Sequence, residues 1–184
     1  VLLHADKTPY LQGENLQLPD LARTYREIAT HGADWFYQGP FAQQVAAWMK
    51  KNNGVLSAED FHGYQVQQRK PLISHYQNRT IVGFPPPSSG GVHVAEILNI
   101  LENFDLKRAS QAEFVHLTTE AMKLAFADRA YWLGDPAFTS VPTGLISTDY
   151  ANKLATKIDR KQASQVKHHG TPLQAQEKIF GKHT

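Results

Sequence analysis

The stretch TIVGFPPPSSGGVHVAEILNILENF, Thr80–Phe104, decides the architecture. Thr80 to Phe84 is rich in strand formers, and Pro85, Pro86 and Pro87 stop the ladder because proline has no backbone N–H to donate. Ser88, Ser89, Gly90 and Gly91 then lead into a segment where Val94, Ile97, Leu98, Leu101 and Phe104 recur at helical spacing, so this stripe is expected to be buried. Strand, tight loop and helix in that order describe an α/β protein. Just upstream, Tyr64 and Val66 alternate with Gln65 and Gln67, and Leu72 to Tyr76 favours a strand. Two or three antiparallel strands are predicted within 63–84, followed by a loop over 85–91.

Outside this stretch the pattern is helical. On the N-terminal side, 1–62, Pro19 and Asp20 open a helix carrying Leu21, Ala22, Tyr25, Ile28 and Ala29, with Gly32 at its end. Phe41, Val45, Trp48 and Met49 mark a second helix after Pro40, and Ser57 with Asp60 has the spacing of a capping box before a short third one. On the C-terminal side, 92–159, Ser110 with Glu113 caps the longest helix, expected to run to about Gly134. Its two apolar stripes, one through Phe114, Leu117, Ala121, Leu124, Asp128 and Tyr131 and another through Val115, Met122, Phe126 and Leu133, predict burial on several sides. Ser147 caps a last helix through Tyr150, Ala151, Leu154 and Ile158. Residues 160–184 lack periodicity and read as an exposed, flexible segment. The fold class is α/β, helix-rich, with a short antiparallel β segment, in a single incomplete domain.

The chain has 184 residues, a formal net charge of +2, 41% hydrophobic residues and no cysteine. That balance excludes intrinsic disorder, and absence of cysteine excludes a disulfide framework. The positive charge is spread out, so nucleic acid is not an expected partner. No run approaches the roughly eighteen apolar residues of a membrane span. The ends, Val1 and Thr184, carry no initiating methionine and no terminating pattern, and read as a piece of something longer.

Few residues announce chemistry. The PPPSSGG loop would present backbone amides and the positive end of a helix dipole to an anion, yet it lacks the Walker lysine and is neither G-x-G-x-x-G nor G-x-S-x-G. The competing reading makes Ser88 or Ser89 a helix cap, with glycines for close packing. Asp128 falls on an apolar stripe, where an unpartnered carboxylate would cost several kcal/mol, so it requires a partner: a substrate, or a structural ion pair or hydrogen bond. His116 and Glu120 are one helical turn apart, His168 and His169 are adjacent, and His31, His62, His75 and His93 stand alone. None of these spacings matches a metal site, and no cofactor or metal is expected.

Four stretches taken together resemble the large-subunit portion of a γ-glutamyltranspeptidase, also called γ-glutamyltransferase or glutathione hydrolase. They are LPDLARTYREIATHGADWFYQGPFAQQVAAWMKKNNGVLSAEDFHGY from Leu18, FPPPSSGGVHVAEILNILENFDL from Phe84, EAMKLAFADRAYWLGDPAF from Glu120, and VPTGLIS from Val141 followed by YANKLATKI from Tyr150. They stand in the family's order from about Leu16 to Ile158. PPPSSGG running into ILNILENFDL, and ADRAYWLGDP, are the most specific parts.

The resemblance implies part of an N-terminal-nucleophile hydrolase, an αββα sandwich formed by large and small subunits that arise when a precursor cuts itself before a threonine. In the family a variable polar stretch precedes that cut, here 160–184, and a Thr-x-His sequence follows it. Thr184 is then the candidate nucleophile and His183–Thr184 the candidate cleavage site; alternatively, Thr184 is the residue just before the nucleophile. The implied partners are the small subunit of the same precursor, a γ-glutamyl donor such as glutathione, and an amino-acid or peptide acceptor. The arginine holding the donor's α-carboxylate would lie before Val1, and the oxyanion-hole glycines after Thr184, so no substrate-binding residue is expected in this stretch and it is expected to be inactive alone. Export to the periplasm or medium is also implied, with the signal upstream of Val1. Two alternatives are a related acylase acting on a β-lactam side chain or on poly-γ-glutamate, and a helical scaffold domain without chemistry.

Overall fold

The computed structural model describes residues 2–4 and 6–173. The chain divides into two compact units, Val1–Gln67 and Gln68–Thr184, where the sequence suggested one domain.

In the first unit four helices follow one another: α1 (Pro19–His31), α2 (Ala33–Tyr37), α3 (Pro40–Lys51) and α4 (Ala58–His62). Proline opens α1 and α3, where its missing N–H costs no intrahelical bond. Gly32 ends α1 with φ of 76°, a conformation that a side chain would resist. The Ser57–Asp60 capping box forms in full at α4: the Ser57 N–H donates to the Asp60 carboxylate at 2.7 Å and the Asp60 N–H donates back to Ser57 Oγ at 3.3 Å. The Ser57 N–H, and then the Ser57 hydroxyl donating at 2.9 Å, hold the Asp60 carboxyl below its ordinary range. Aromatic rings join α2, α3 and α4, with Phe36 stacked on Phe41 at 4.2 Å and edge-on to Phe61 at 6.0 Å.

The second unit begins with a hairpin, β1 (Leu72–Tyr76) paired antiparallel to β2 (Arg79–Gly83). Gln77 and Asn78 make its two-residue turn with φ of 45° and 61°, the positive pair that matches strand twist. These are its two strands among the described residues; residues 64–67, expected to pair, have no ladder partner. Alternation alone does not make a strand where no neighbouring edge is offered. Helix α5 (Ser89–Leu101) follows, starting earlier than predicted, then α6 (Gln111–Trp132), a 3-10 turn (Thr143–Ile146) and α7 (Thr148–Ala155). Ser110 and Ser147 cap α6 and α7, each accepting from the backbone N–H three residues on.

The core lies where α5 meets α6 and α7, around the fully buried Ile100, Leu117, Leu145 and Leu154. Two expectations about faces are corrected here. Helix α5 buries Val92, Ala95, Glu96 and Ile100 rather than Val94, which is 48% exposed. Helix α6 buries one face; Val115, Met122 and Phe126 of its second stripe are exposed, as are Phe114 and Tyr131 at the two ends of the first, so it is not enclosed on several sides. Of the segment 160–184, expected to be exposed and flexible, residues 174–184 lie outside the described residues, and within 160–173 the expectation of exposure fails at Gly170 and Pro172. Over 160–173 the chain is irregular but laid on α6 and α7, with Gly170 and Pro172 buried. No helix among the described residues is long and apolar enough to cross a membrane.

Candidate functional site

The PPPSSGG corner is a backbone-on-backbone contact. A Cβ on Gly91 would run into the Phe84 carbonyl oxygen and lie 2.9 Å from the Phe84 nitrogen, and one on Gly83 would lie 2.9 Å from the Gly91 Cα. The glycines thus let the end of β2 touch the first turn of α5. Ser88 occupies the N-cap position without a side-chain capping bond, and Ser89 Oγ accepts from Arg129 Nε on α6 at 3.1 Å. His93, one turn into α5, faces the Ser89 carbonyl at 3.3 Å and the Phe126 ring at 4.8 Å; burial pushes its pKa down.

Asp128 finds its partners inside the protein. It is fully buried and accepts through both oxygens: from the Tyr150 hydroxyl of α7 at 2.5 Å and from the Gly170 backbone N–H at 2.5 Å. The structural alternative therefore accounts for it without a substrate. Against it lies a residue that the sequence pattern did not single out, Glu96 of α5, 1% exposed. Burial, and then the hydrogen bond and charge of Asp128, push the Glu96 carboxyl up to about 10, so it is held neutral. Burial and Asp128 also raise the Tyr150 phenol, keeping it a donor. The available sequence signal for Glu96 was its place between Val92 and Ile100, four residues from each, on one helical face.

Residues 159–173 form a strap held at several points. Glu120 of α6 accepts from both Ser164 Oγ and Ser164 N–H and pairs with Lys123 Nζ at 2.5 Å; burial raises the Glu120 carboxyl, but Lys123 and Ser164 outweigh it and hold it below its ordinary value. Lys123 Nζ also donates to the Ser164 carbonyl at 2.6 Å. Further along, the Gly170 carbonyl accepts from Trp132 Nε1 at 3.1 Å, and the His169 ring stacks on Tyr131 at 3.6 Å. Gly170 itself must be glycine, since a Cβ would collide with the Tyr150 hydroxyl.

His116 and Glu120, one helical turn apart, are used structurally. His116 Nε2 bonds the Asp159 carbonyl at 2.7 Å, so His116 and Glu120 face different partners. Thr184 and His183, the candidate nucleophile and cleavage site, lie outside the described residues.

Comparison with known proteins gives these features a family. A model of the family described as Gamma-glutamyltranspeptidase matches residues 1–183. Glutathione hydrolase proenzyme of Escherichia coli (strain K12) is 41% identical over 158 residues, covering 84% of this chain and 27% of that protein. Acylase ACY 1 proenzyme of Pseudomonas sp. (strain SE83) is 38% identical over 158 residues, covering 84% of this chain and 28% of that protein. The crystal structure of Helicobacter pylori gamma-glutamyltranspeptidase superposes with a TM-score of 0.77 at 38% identity, over 90% of this chain and 49% of that one. The chain thus spans little more than a quarter of the length of the curated relatives it matches. With the PPPSSGG corner, the helix-rich α/β fold and this likeness in sequence and structure, the chain belongs to the γ-glutamyltranspeptidase family.

Proposed function

We propose that this chain is the C-terminal part of the large subunit of a precursor that cuts itself before a threonine and then transfers or hydrolyses the γ-glutamyl group of glutathione or a related donor. The observation that carries this reading is the family match along nearly the whole chain, with relatives named as proenzymes. Thr184 is the proposed nucleophile. Its hydroxyl attacks the His183 carbonyl, the peptide bond becomes an ester as the nitrogen leaves protonated, and water hydrolyses the ester to a His183 carboxylate and a free Thr184. The freed α-amino group, with an ordinary pKa of about 8, then serves as the base for its own hydroxyl in attack on a donor γ-carbonyl. The chain is an incomplete domain in this reading; the small subunit is its partner, and the mature enzyme is exported.

The test is the mass of the intact precursor over time. Two fragments meeting at His183–Thr184 are expected, with none from Thr184→Ala, and the residues after Thr184 should read any residue and then histidine. This chain alone should not turn over a γ-glutamyl chromogenic donor; turnover by it would sink the proposal, as would a stable parental precursor. The likeness to an acylase supports a second reading, in which the same cut yields an enzyme for another amide; rates on γ-glutamyl and β-lactam side-chain amides separate the two.

A further inference from the structure

We propose that the outward face of α6 is a docking surface for an amphipathic helix supplied by the same precursor outside this chain. This rests on the function proposed above in one respect, that the chain is part of a longer precursor. Between Gln111 and Asp128 the exposed side chains include Phe114, Val115, Thr119, Met122 and Phe126, and no exposed one is charged. The charges of that stretch turn the other way. Glu113 pairs with Arg160, Glu120 with Lys123 and Ser164, and Asp128 accepts from Tyr150 and Gly170. The solvent side of a surface helix ordinarily carries the charges and the covered side the apolar residues. In α6 the charges meet the strap and the core, and an apolar stripe is left outside. Phe126 ties this stripe to α5, its ring meeting that of His93 at 4.8 Å.

The spacing of the stripe says what fits it. Val115, Thr119, Met122 and Phe126 follow one another at helical spacing, a single line about 16 Å long down the helix. Val115, Met122 and Phe126 are 41–56% exposed, so each stands out as a ridge. Ridges at this spacing interlock with those of a second helix, and a helix with a matching apolar stripe buries them. A strand cannot add to α6, because the backbone groups of a helix are spent within it. An apolar contact without charges resembles the permanent kind of interface, a core cut in two, rather than a transient one. The occupant belongs to the same precursor because this chain covers 27% of one curated relative and 49% of the chain of a solved one, so most of what surrounds this piece in a whole relative lies outside it.

The experiment uses the full precursor with the photo-crosslinker p-benzoylphenylalanine placed at Val115, Met122 or Phe126, one position at a time. Mass spectrometry of the products should find each probe joined to a segment of the same polypeptide outside residues 1–184, with the sites reached from successive probes advancing by three or four residues. Products within residues 1–184, products joining two precursors, sites advancing by two residues as in a strand, or no protein product at all would each overturn the proposal. Where a probe prevents folding, Met122→Cys decides. Its thiol should be labelled on the order of 100-fold more slowly in the native precursor than in the same protein unfolded in denaturant, since labelling then waits for local opening. Labelling at similar rates in the two states overturns the proposal. Self-cleavage is read from the same samples by intact mass. A precursor that cross-links as expected but never cuts sinks the function reading and leaves this surface standing, whereas one that cuts without the expected cross-links does the reverse.

Discussion

Glu96 shows how one side chain links burial to pH. Its ordinary pKa is 4.5 and in the fold it rises to about 10, because burial and the neighbouring Asp128 both disfavour its charged form. Between those values the folded chain binds one proton more than the unfolded chain, so stability falls as pH rises, by up to about 1.4 kcal/mol per pH unit from this group. The contribution is fully present below about 4.5 and is lost toward 10. Glu96→Gln stays neutral at every pH and keeps the shape. It should match the parent near pH 4.5 and exceed it at pH 8 by roughly a few kcal/mol. Denaturant titrations of both proteins at pH 5 and pH 8 check this, since groups common to both cancel in the difference. An unchanged difference between the two pH values would refute it.

At the scale of elements, the corner between β2 and α5 separates two adjacent glycines. A Cβ at Gly90 would meet nothing nearer than Ser88 Oγ at 3.8 Å, an ordinary contact, whereas a Cβ at Gly91 would meet the Phe84 backbone, which cannot yield. Gly90→Ala should therefore be neutral or stabilising by up to about 1 kcal/mol through helix propensity. Gly91→Ala should destabilise by about 3 kcal/mol or more, because strand and helix must part. Urea midpoints of the two variants give the test, and equal midpoints would count against it. This corner was legible in the sequence as strand, prolines and glycines, and so were the caps at Ser57, Ser110 and Ser147, because each of these signals is local. What held Asp128 was not legible. A stripe of apolar residues says that a carboxylate needs a partner, but Glu96, Tyr150 and Gly170 come from three other segments and meet only through the packing of α5, α6 and α7. The strap was misread for the same reason: its composition is polar, yet it is held by backbone groups, which composition does not report.

At the scale of the whole molecule, the two units differ in how much they bury. In the second, Ile100, Leu117, Leu145 and Leu154 have 2% exposure or less and lie in one apolar cluster. In the first, Ala42 alone among the described residues is buried, while Trp48 is 61% and Val55 94% exposed. Burial of apolar surface is the main favourable term in folding, at about 25 cal/mol per Å², and a helix with no buried side chain depends on propensity and caps, which are marginal at this length. Helix α1 has no buried residue and α6 has Leu117, Ala121 and Leu124 facing the core. Local opening of α1 should therefore cost far less than opening of α6. Amide hydrogens in the middle of α1 should exchange on the order of 100-fold faster than those around Leu117 to Leu124 in this chain. Peptide-resolved exchange at constant pH measures both in one sample. Equal protection would mean that α1 draws stability from something other than buried side chains, and the contrast argued from burial would fall.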